Sequence, residues 1–552
     1  MSGILGTALS GLMAFQRALD TTSNNIANVN TEGYSRQRVD ISSNQSFFSE
    51  GHFFGQGVNV AAVSRSYDSF VTSQLAASTS AFGESNTLAT MTARLDSAVS
   101  SEASNLAPAL KSFFNSVHGV AGDPTSVAAR QSMAVETESL SAQFNQMATK
   151  FENLHKESNR VMEGTVDDIN LYAQNLAEVN GKISLEASRN RGNETPNELL
   201  DMRDNLINKI AEKVSVTTLQ QENGTVDVFI GKGQSLVLGK SAAKLSLEDS
   251  SLMPGRKEIT LGGQNITKSV SGGELAGAVK FRDQILAPAQ QQLGLVATGL
   301  AVQFNALHST GFDLNGDPGS NLFSFGTPAM DIPINAKTGS VGSISATYDA
   351  ASIGQLAASD YELSYDGSQF SLKRLSDNSV TTYAGAPPST ISGPGFSITT
   401  DANVTANDSF LIRPTYNAAE KFSAVINDPD KIAAAGTVGS TGEPNPGDNT
   451  VALALADLEN KTALSGGKTT ISGAYSQLSK QIGVQTHSAK VGNSAQEALL
   501  NQATLERESL AGVNLDEEAA NLIKYQQSYQ AAAQVVSIAN SIFDTLIGAL
   551  RR

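Results

Sequence analysis

Apolar side chains recur every seven positions at both ends of this chain. Near the start the series is Leu5, Leu12, Leu19 and Ile26, with Ala8, Phe15, Thr22 and Val29 as a second row. Near the end it is Leu522, Tyr529, Val536, Phe543 and Leu550, beside Tyr525, Ala532, Ala539 and Leu546. A seven-residue repeat holds one narrow seam against a partner helix along its whole length. The head also carries Gly3, Gly6, Gly11 and a Thr/Ser/Asn run at 21–25, all poor helix formers. Both ends are therefore expected to fray in the free chain and to become helical once neighbours cover them. The competing reading is an ordinary two-helix hairpin that closes one domain.

Between the ends the period changes twice. The first helix is predicted from Ser2 to Asn28, stopping in a turn around Asn30 and Gly33. Residues 34–67 read as short extended pieces, followed by helices over about Asp68–Ser100 and Leu106–Val120. A long helix starts after Asp123-Pro124, with Met133, Leu140, Met147, Leu154 and Val161 seven apart. Its register shifts near Gly164 and resumes through Ile169, Leu176 and Ile183; a further helix fits Asn197–Lys213. At Val214 the period drops to two: Val214, Val216 and Thr218 alternate, Asn223-Gly224 turns, and Val226, Val228 and Ile230 alternate back. Helix returns over Glu274–Thr310. A second strand-rich stretch fills 320–415, with Tyr361, Leu363 and Tyr365, the Asp366-Gly367 turn, then Phe370 and Leu372. Helices are expected near Ala418–Val425, Asn449–Asn460, Thr469–Ser509 and Asp516–Leu550, with a Gly/Pro/Asn-rich loop at 436–449.

This pattern gives an α+β multidomain chain, with terminal coiled-coil helices, a long helical bundle and β-rich domains inserted in the middle. The expected units are 1–67 with 510–552 as the terminal region, and 68–213 with 274–319 and 416–509 as the bundle. The insertions are 214–273 and 320–415. Because the chain leaves and returns, its head and tail helices should lie side by side and antiparallel.

Composition narrows the chemistry. The length of 552 residues suits three to four domains of about 150 residues. A net charge of −16, from 38 basic and 54 acidic residues, argues against a nucleic-acid partner, which needs clustered cations. With no Cys, disulfides, thiolate catalysis and Cys-based zinc sites are excluded. The head has no basic leader, long apolar block and cleavage site, so a cleaved signal peptide is not expected. No uninterrupted apolar stretch approaches a membrane-spanning length of about 18 residues.

No catalytic or metal constellation assembles. His52, His118, His155, His308 and His487 lie far apart. Gly466-Gly467-Lys468-Thr469 echoes a phosphate loop, but Thr462 stands where its first Gly belongs, so it reads as a turn. Asp313-Leu314-Asn315-Gly316-Asp317 opens like a calcium loop, yet Pro318 and Ser324 occupy the positions of its Gly and bidentate Glu. No enzyme activity, cofactor or metal is expected.

The run Ser23-Asn24-Asn25-Ile26-Ala27-Asn28-Val29-Asn30-Thr31-Glu32-Gly33-Tyr34 resembles the N-terminal signature of bacterial flagellar axial proteins. Its continuation, Ser35-Arg36-Gln37, is similar to the hook-associated branch. Asp123–Gln131, Leu199–Asp204, Gly311–Gly316 and the tail from Gly512 through Leu550 resemble the same branch. The resemblance is weak over 320–410. Many axial proteins have Pro where this chain has Glu32, a change that leaves a turn possible.

The resemblance implies a structural adaptor at the hook–filament junction of the extracellular flagellum, exported unfolded by the flagellar type III route. The partners implied are the hook protein, the second hook–filament junction protein, a ring of copies of itself, and an export chaperone on the C-terminal helix. It implies that Leu5, Leu12, Phe15, Leu19 and Ile26 pack with Leu522, Tyr525, Tyr529, Val536, Phe543 and Leu550 and with neighbouring subunits. For Asn24, Asn25, Asn28 and Asn30, helix capping and hydrogen bonding across subunits both remain open. A rival class is an exported adhesin or enzyme that uses its ends only for delivery and the 320–415 insertion for activity.

Overall fold

The longest amphipathic stretch becomes the longest element. In the computed structural model, which describes residues 2–49, 52–101, 105–189, 196–250, 253, 255–333, 342–439 and 445–550, Val127–Arg189 is one unbroken 63-residue helix (α4). Met133, Leu140, Met147, Leu154, Ile169, Leu176 and Ile183 are all buried along it. Gly164 is exposed, and the register shift expected there bends nothing out of the helix. In chain order the preceding helices are α1 (Ser2–Ala27), α2 (Ser69–Ser100) and α3 (Leu106–Gly122). They are followed by α5 (Asn197–Lys213), α6 (Gly273–Lys280), α7 (Ala287–His308), α8 (Thr450–Asp457), α9 (Ile471–Ala511) and α10 (Leu515–Leu550). A π-helical turn, Phe281–Leu286, joins α6 to α7.

One core runs through α2 to α9. At its centre the Phe304 ring lies 5.0 Å from Phe113, 5.9 Å from Phe114 and 6.1 Å from Phe323. Leu293, Val296 and Leu300 continue that buried face along α7. Gly294 lets the backbone of Thr415 close on this helix: a Cβ there would meet the Thr415 carbonyl oxygen at 1.8 Å.

The head forms a long antiparallel hairpin, β1 (Gln37–Ser43) with β4 (Val58–Arg65), tipped by β2 (Phe47–Ser49) with β3 (His52–Phe54). The first insertion contains a four-stranded sheet, β5 (Val216–Gln220), β6 (Val226–Ile230), β7 (Gln234–Leu238) and β8 (Ser241–Ala242), in sequential order. A three-stranded sheet follows, β9 (Leu245–Asp249), β10 (Lys257–Leu261) and β11 (Gln264–Asn265). Val226, Val228 and Ile230 point inward, while on the edge strand β5 Val216 is half-buried and Thr218 exposed.

The second insertion is entered through β12 (Phe323–Ser324). Its strands β13 (Ala329–Pro333), β15 (Tyr361–Tyr365), β16 (Gln369–Arg374), β17 (Val380–Ala384) and β20 (Ser409–Arg413) form a sheet in the order 13-20-15-16-17. A second sheet holds β14 (Ile344–Tyr348), β19 (Phe396–Thr400) and β18 (Thr390–Ser392). Tyr361, Leu363, Phe370, Leu372, Phe396, Ile398, Phe410 and Ile412 fill a separate core.

One expectation needs correction. Ala418–Val425 is not a helix but a run of turns ending in β21 (Ser423–Ala424), which pairs with β12. The Asn145 amide of α4 donates to the carbonyls of Ala419, Glu420 and Phe422 at 3.0, 2.9 and 3.0 Å. One side chain thus satisfies acceptors that a helix would have satisfied, while Ala418, Ala419 and Phe422 stay buried. Two helical stretches are long and apolar enough to cross a membrane by length and composition alone. The one over Gly273–His308 has most of its apolar window buried in the core, whereas the window in the α9–α10 stretch is uncovered.

Removing the aromatic hub should be costly. Phe304→Ala is expected to destabilise the bundle by about 3–5 kcal/mol, read as a lowered urea midpoint with an unchanged slope.

Candidate functional site

The two chain ends meet where α1 stops and α10 begins, and one asparagine makes the join. Asn25 is almost fully buried at the end of α1. Its amide nitrogen donates to the Gln37 carbonyl at 2.8 Å and to Glu518 Oε2 at 3.1 Å. Its amide oxygen accepts from Tyr34 Oη at 2.8 Å and from the Gln37 N–H at 3.0 Å. Every hydrogen-bonding position of the amide is used.

Glu518 lies in the first turn of α10 and is 2% exposed. Its other oxygen accepts from Arg36 Nε at 2.8 Å, and the same guanidinium reaches Glu517 at 2.6 Å. A carboxylate here also faces the positive end of the helix dipole. Asn514 caps that end, accepting from the N–H groups of Asp516 and Glu517 at 2.9 and 3.3 Å.

The turn that follows α1 is tied to the helical body at three places. Arg507, near the end of α9, donates to the carbonyls of Gly33 and Tyr34 at 3.0 and 2.9 Å. The Arg36 N–H donates to the Ala511 carbonyl at 2.8 Å. Asp201 of α5 accepts from the Ser35 N–H at 3.0 Å and from Arg65 at 2.8 Å, while Arg65 also pairs with Asp204 at 2.7 Å. Gly33 has φ +81°, and a Cβ there would lie 2.8 Å from the Asn205 amide, so the turn requires glycine. Burial, with the nearby charges of Asp201, Glu198 and Glu518, pushes the Tyr34 phenol up to about 12.

Of the two roles left open by sequence, helix-end closure is taken by Asn24 and Asn28. Asn28 donates to the Asn24 carbonyl at 3.0 Å and to the Asn24 side chain at 2.9 Å, which closes the end of α1. Asn30 is exposed. Asn25 does neither of the expected things: it bridges two distant parts of one chain. Nothing local in the sequence marks Glu518 as its partner, because the two residues are 493 positions apart.

α1 and α10 pack against each other, and the Asn25–Glu518 bond at one end makes them antiparallel. The covered stripe of α1 is not the leucine row. Ala8, Ala14, Ala18, Thr21, Thr22 and Asn25 are buried. Leu12, Phe15, Leu19 and Ile26, together with Asn24 and Asn28, are only half-buried, and Leu5 is exposed. The 4-3-4 spacing of Ala14, Ala18, Thr21 and Asn25 was the available signal; short side chains let neighbouring backbone approach closely. On α10, Leu522, Tyr525, Tyr529, Ala532, Val536 and Ala539 are half-buried in the two heptad rows, and Phe543 is exposed. Leu550 closes the helix, and its side chain lies outside the described residues.

Other large apolar groups on these helices face outward. Ile4, Leu9 and Met13 do so on α1, and Val535, Ile538, Ile542 and Ile547 on α10. A further row was missed in the sequence: Val484, Val491, Ala498 and Leu505 are seven apart on α9 and all exposed. Apolar side chains thus stay uncovered along α1, α9 and α10.

Paired terminal helices clasped to a bundle with β-rich insertions are an architecture shared with a flagellar protein of known structure. Residues 5–34 match the flagella basal body rod protein model, and 508–549 match the flagellar basal body rod FlgEFG protein C-terminal model. Residues 92–323 match the flagellar hook-associated protein FlgK helical domain, and 334–414 the flagellar hook-associated protein 1 D2-like domain. The flagellar hook-associated protein 1 of Escherichia coli K12 is 35% identical, covering 99% of this chain and 100% of its own length. That of Salmonella typhimurium LT2 is 32% identical over the same shares. The structure of the flagellar hook junction protein FlgK from Burkholderia pseudomallei superposes with a TM-score of 0.71 at 25% identity, covering 80% of this chain and 100% of that one. The chain belongs to the flagellar hook-associated protein 1 family.

Asn25→Asp keeps the shape of the clasp and sets a second carboxylate against Glu518. It is expected to cost about 3 kcal/mol at neutral pH and to expose Arg17 and Lys524 to trypsin. Lowering the pH should restore resistance, because one of the two carboxylates then takes up a proton. Cutting rates equal to wild type at neutral pH would contradict the clasp.

Proposed function

We propose that this chain is a non-enzymatic structural adaptor that joins the flagellar hook to the filament through its two terminal helices. The observation that carries the reading is the α1–α10 pair: bound at one end by Asn25 and Glu518, it leaves apolar rows on both helices uncovered. Neighbouring copies of the chain, arranged as a ring, cover Leu5, Leu12, Phe15, Leu19 and Ile26 on α1. They likewise cover Tyr529, Val536, Phe543 and Leu550 on α10. The hook protein lies on one side of that ring and the second hook–filament junction protein on the other. The clasp transmits torque from this inner layer to the bundle, because Arg36, Arg507 and Asp201 anchor the turn after α1 on α5, α9 and α10.

The outward row on α9 extends the same association surface onto the bundle. Before assembly the apolar tail needs a cover, which fits a cytoplasmic export chaperone on α10. Export then delivers the chain to the growing end of the flagellum. The family match over 334–414 supports a place in the junction for the second β domain, and no observation favours a separate adhesin or enzyme activity there.

A strain lacking this chain should carry bare hooks and shed filament protein into the medium, as seen by electron microscopy. Complementation with a chain lacking 1–30 or 516–552 should leave the middle folded and assembly abolished; completed flagella would refute the role. Val536→Glu with Phe543→Glu is a finer test. These side chains lie on the partly or fully exposed side of α10, so the monomer should lose no more than about 1 kcal/mol, while motility is lost.

A further inference from the structure

His308 ends α7 with its side chain fully buried, in a place the adaptor reading does not use. Nδ1 lies 2.6 Å from the Ser320 carbonyl oxygen, and Nε2 lies 2.8 Å from the Ala433 backbone nitrogen. The Ala433 N–H can only donate, and the Ser320 carbonyl can only accept. The imidazole is therefore neutral, with its proton on Nδ1 and a bare lone pair on Nε2.

The two partners belong to different crossings of the chain. Ser320 lies on the segment leaving the bundle for the second β domain, and Ala433 on the segment coming back. The ring spans both. Around it the crossings are stitched by the Phe312 N–H to the Ala435 carbonyl at 2.9 Å and the Leu314 N–H to the Asp430 carbonyl at 3.1 Å. Gly319 passes so close that a Cβ would meet the His308 carbonyl oxygen at 2.0 Å.

The ionisable groups acting on the ring are Arg130 from α4 and Asp313 from the outgoing segment, and Asp430 from the returning one acts on Arg130. Arg130 is buried, donating to the carbonyls of Pro124 and Ile432. The Asp313 carboxylate already accepts from the N–H groups of Asn315 and Asp317 at 2.8 and 2.9 Å. A proton added at Nε2 would thus meet an N–H donor with a guanidinium close by.

We propose that His308 is a proton-operated latch at the root of the second β domain: the neutral ring holds the outgoing and returning segments together, and protonation releases 429–436 from α7. Burial, reinforced by Arg130, lowers the affinity of the folded ring for a proton; the Ser320 carbonyl and Asp313 oppose this and do not overcome it. The sign follows from linkage. The unfolded or opened histidine binds its proton near the ordinary value of about 6.5, before the closed one does. The closed state is therefore stable above that pH and loses stability as the pH falls through and below it.

The test uses the full-length chain. Long-range nitrogen–proton NMR of the imidazoles, with the His308 signals assigned by their absence in His308→Gln, should show the Nδ1–H tautomer at neutral pH. Hydrogen exchange followed by mass spectrometry, corrected for intrinsic rates, should quicken at least about tenfold in 429–436 between pH 7.5 and pH 5. Peptides from the centre of α4 should keep their protection. In His308→Gln the exchange of 429–436 should be fast at both pH values. A proton on Nε2 at neutral pH, or equal exchange in 429–436 at both pH values, would overturn the latch. If the variant fails to fold, assignment by residue-specific labelling leaves both wild-type readouts decisive.

Discussion

The Asn25–Glu518 hydrogen bond is the constraint on which the rest of the architecture turns. It brings together residues 493 positions apart and fixes where the tail helix starts relative to the end of the head helix. A buried carboxylate is tolerable only with its partners in place, and Glu518 has two, the Asn25 amide and the Arg36 guanidinium. Arg36 lies one position before Gln37, whose backbone uses both faces of the same asparagine. Head helix, turn, hairpin and tail are thereby locked as one unit, and Arg507 and Asp201 attach that unit to the bundle.

The consequence is a division of labour between buried and exposed apolar surface. Within the chain, α1 spends its small residues, Ala14, Ala18 and Thr21, on close packing. Its larger side chains, and those of α10, are left partly or wholly uncovered. A net charge of −16 opposes unspecific association of such a surface. The bundle closes its core internally through Phe113, Phe114, Phe304 and Phe323, although α9 carries an uncovered apolar row of its own. An adaptor between hook and filament requires both properties, a self-sufficient body and ends that are complete only in company.

Much of the bundle was legible because its seams repeat. Met133 through Ile183 follow the helical period for more than fifty residues, and the large side chains of that seam are buried except Val161 and Tyr172, which are half-covered. Tyr361, Leu363 and Phe370 were readable as strand because period two and the Asp366-Gly367 turn agree. The failures have physical causes. The heptad of α1 was read from its leucines, whereas close packing against the tail selects alanine. The stretch 418–425 has helix-like spacing, but Asn145 from a distant helix satisfies its carbonyls. The clasp itself was invisible in sequence, since long-range polar pairs leave no period; only the flagellar resemblance drew attention to Asn25.

Amide hydrogen exchange on dilute monomer and on assembled hook–filament junctions tests the central claim most directly. The account predicts fast exchange at 2–13 and 535–550 in the monomer, slower exchange around Asn25 and Glu518, and strong protection of all of these in the junction. Full protection of both helix ends in solitary, dilute chains would contradict it, because nothing would then be left for neighbouring copies to cover.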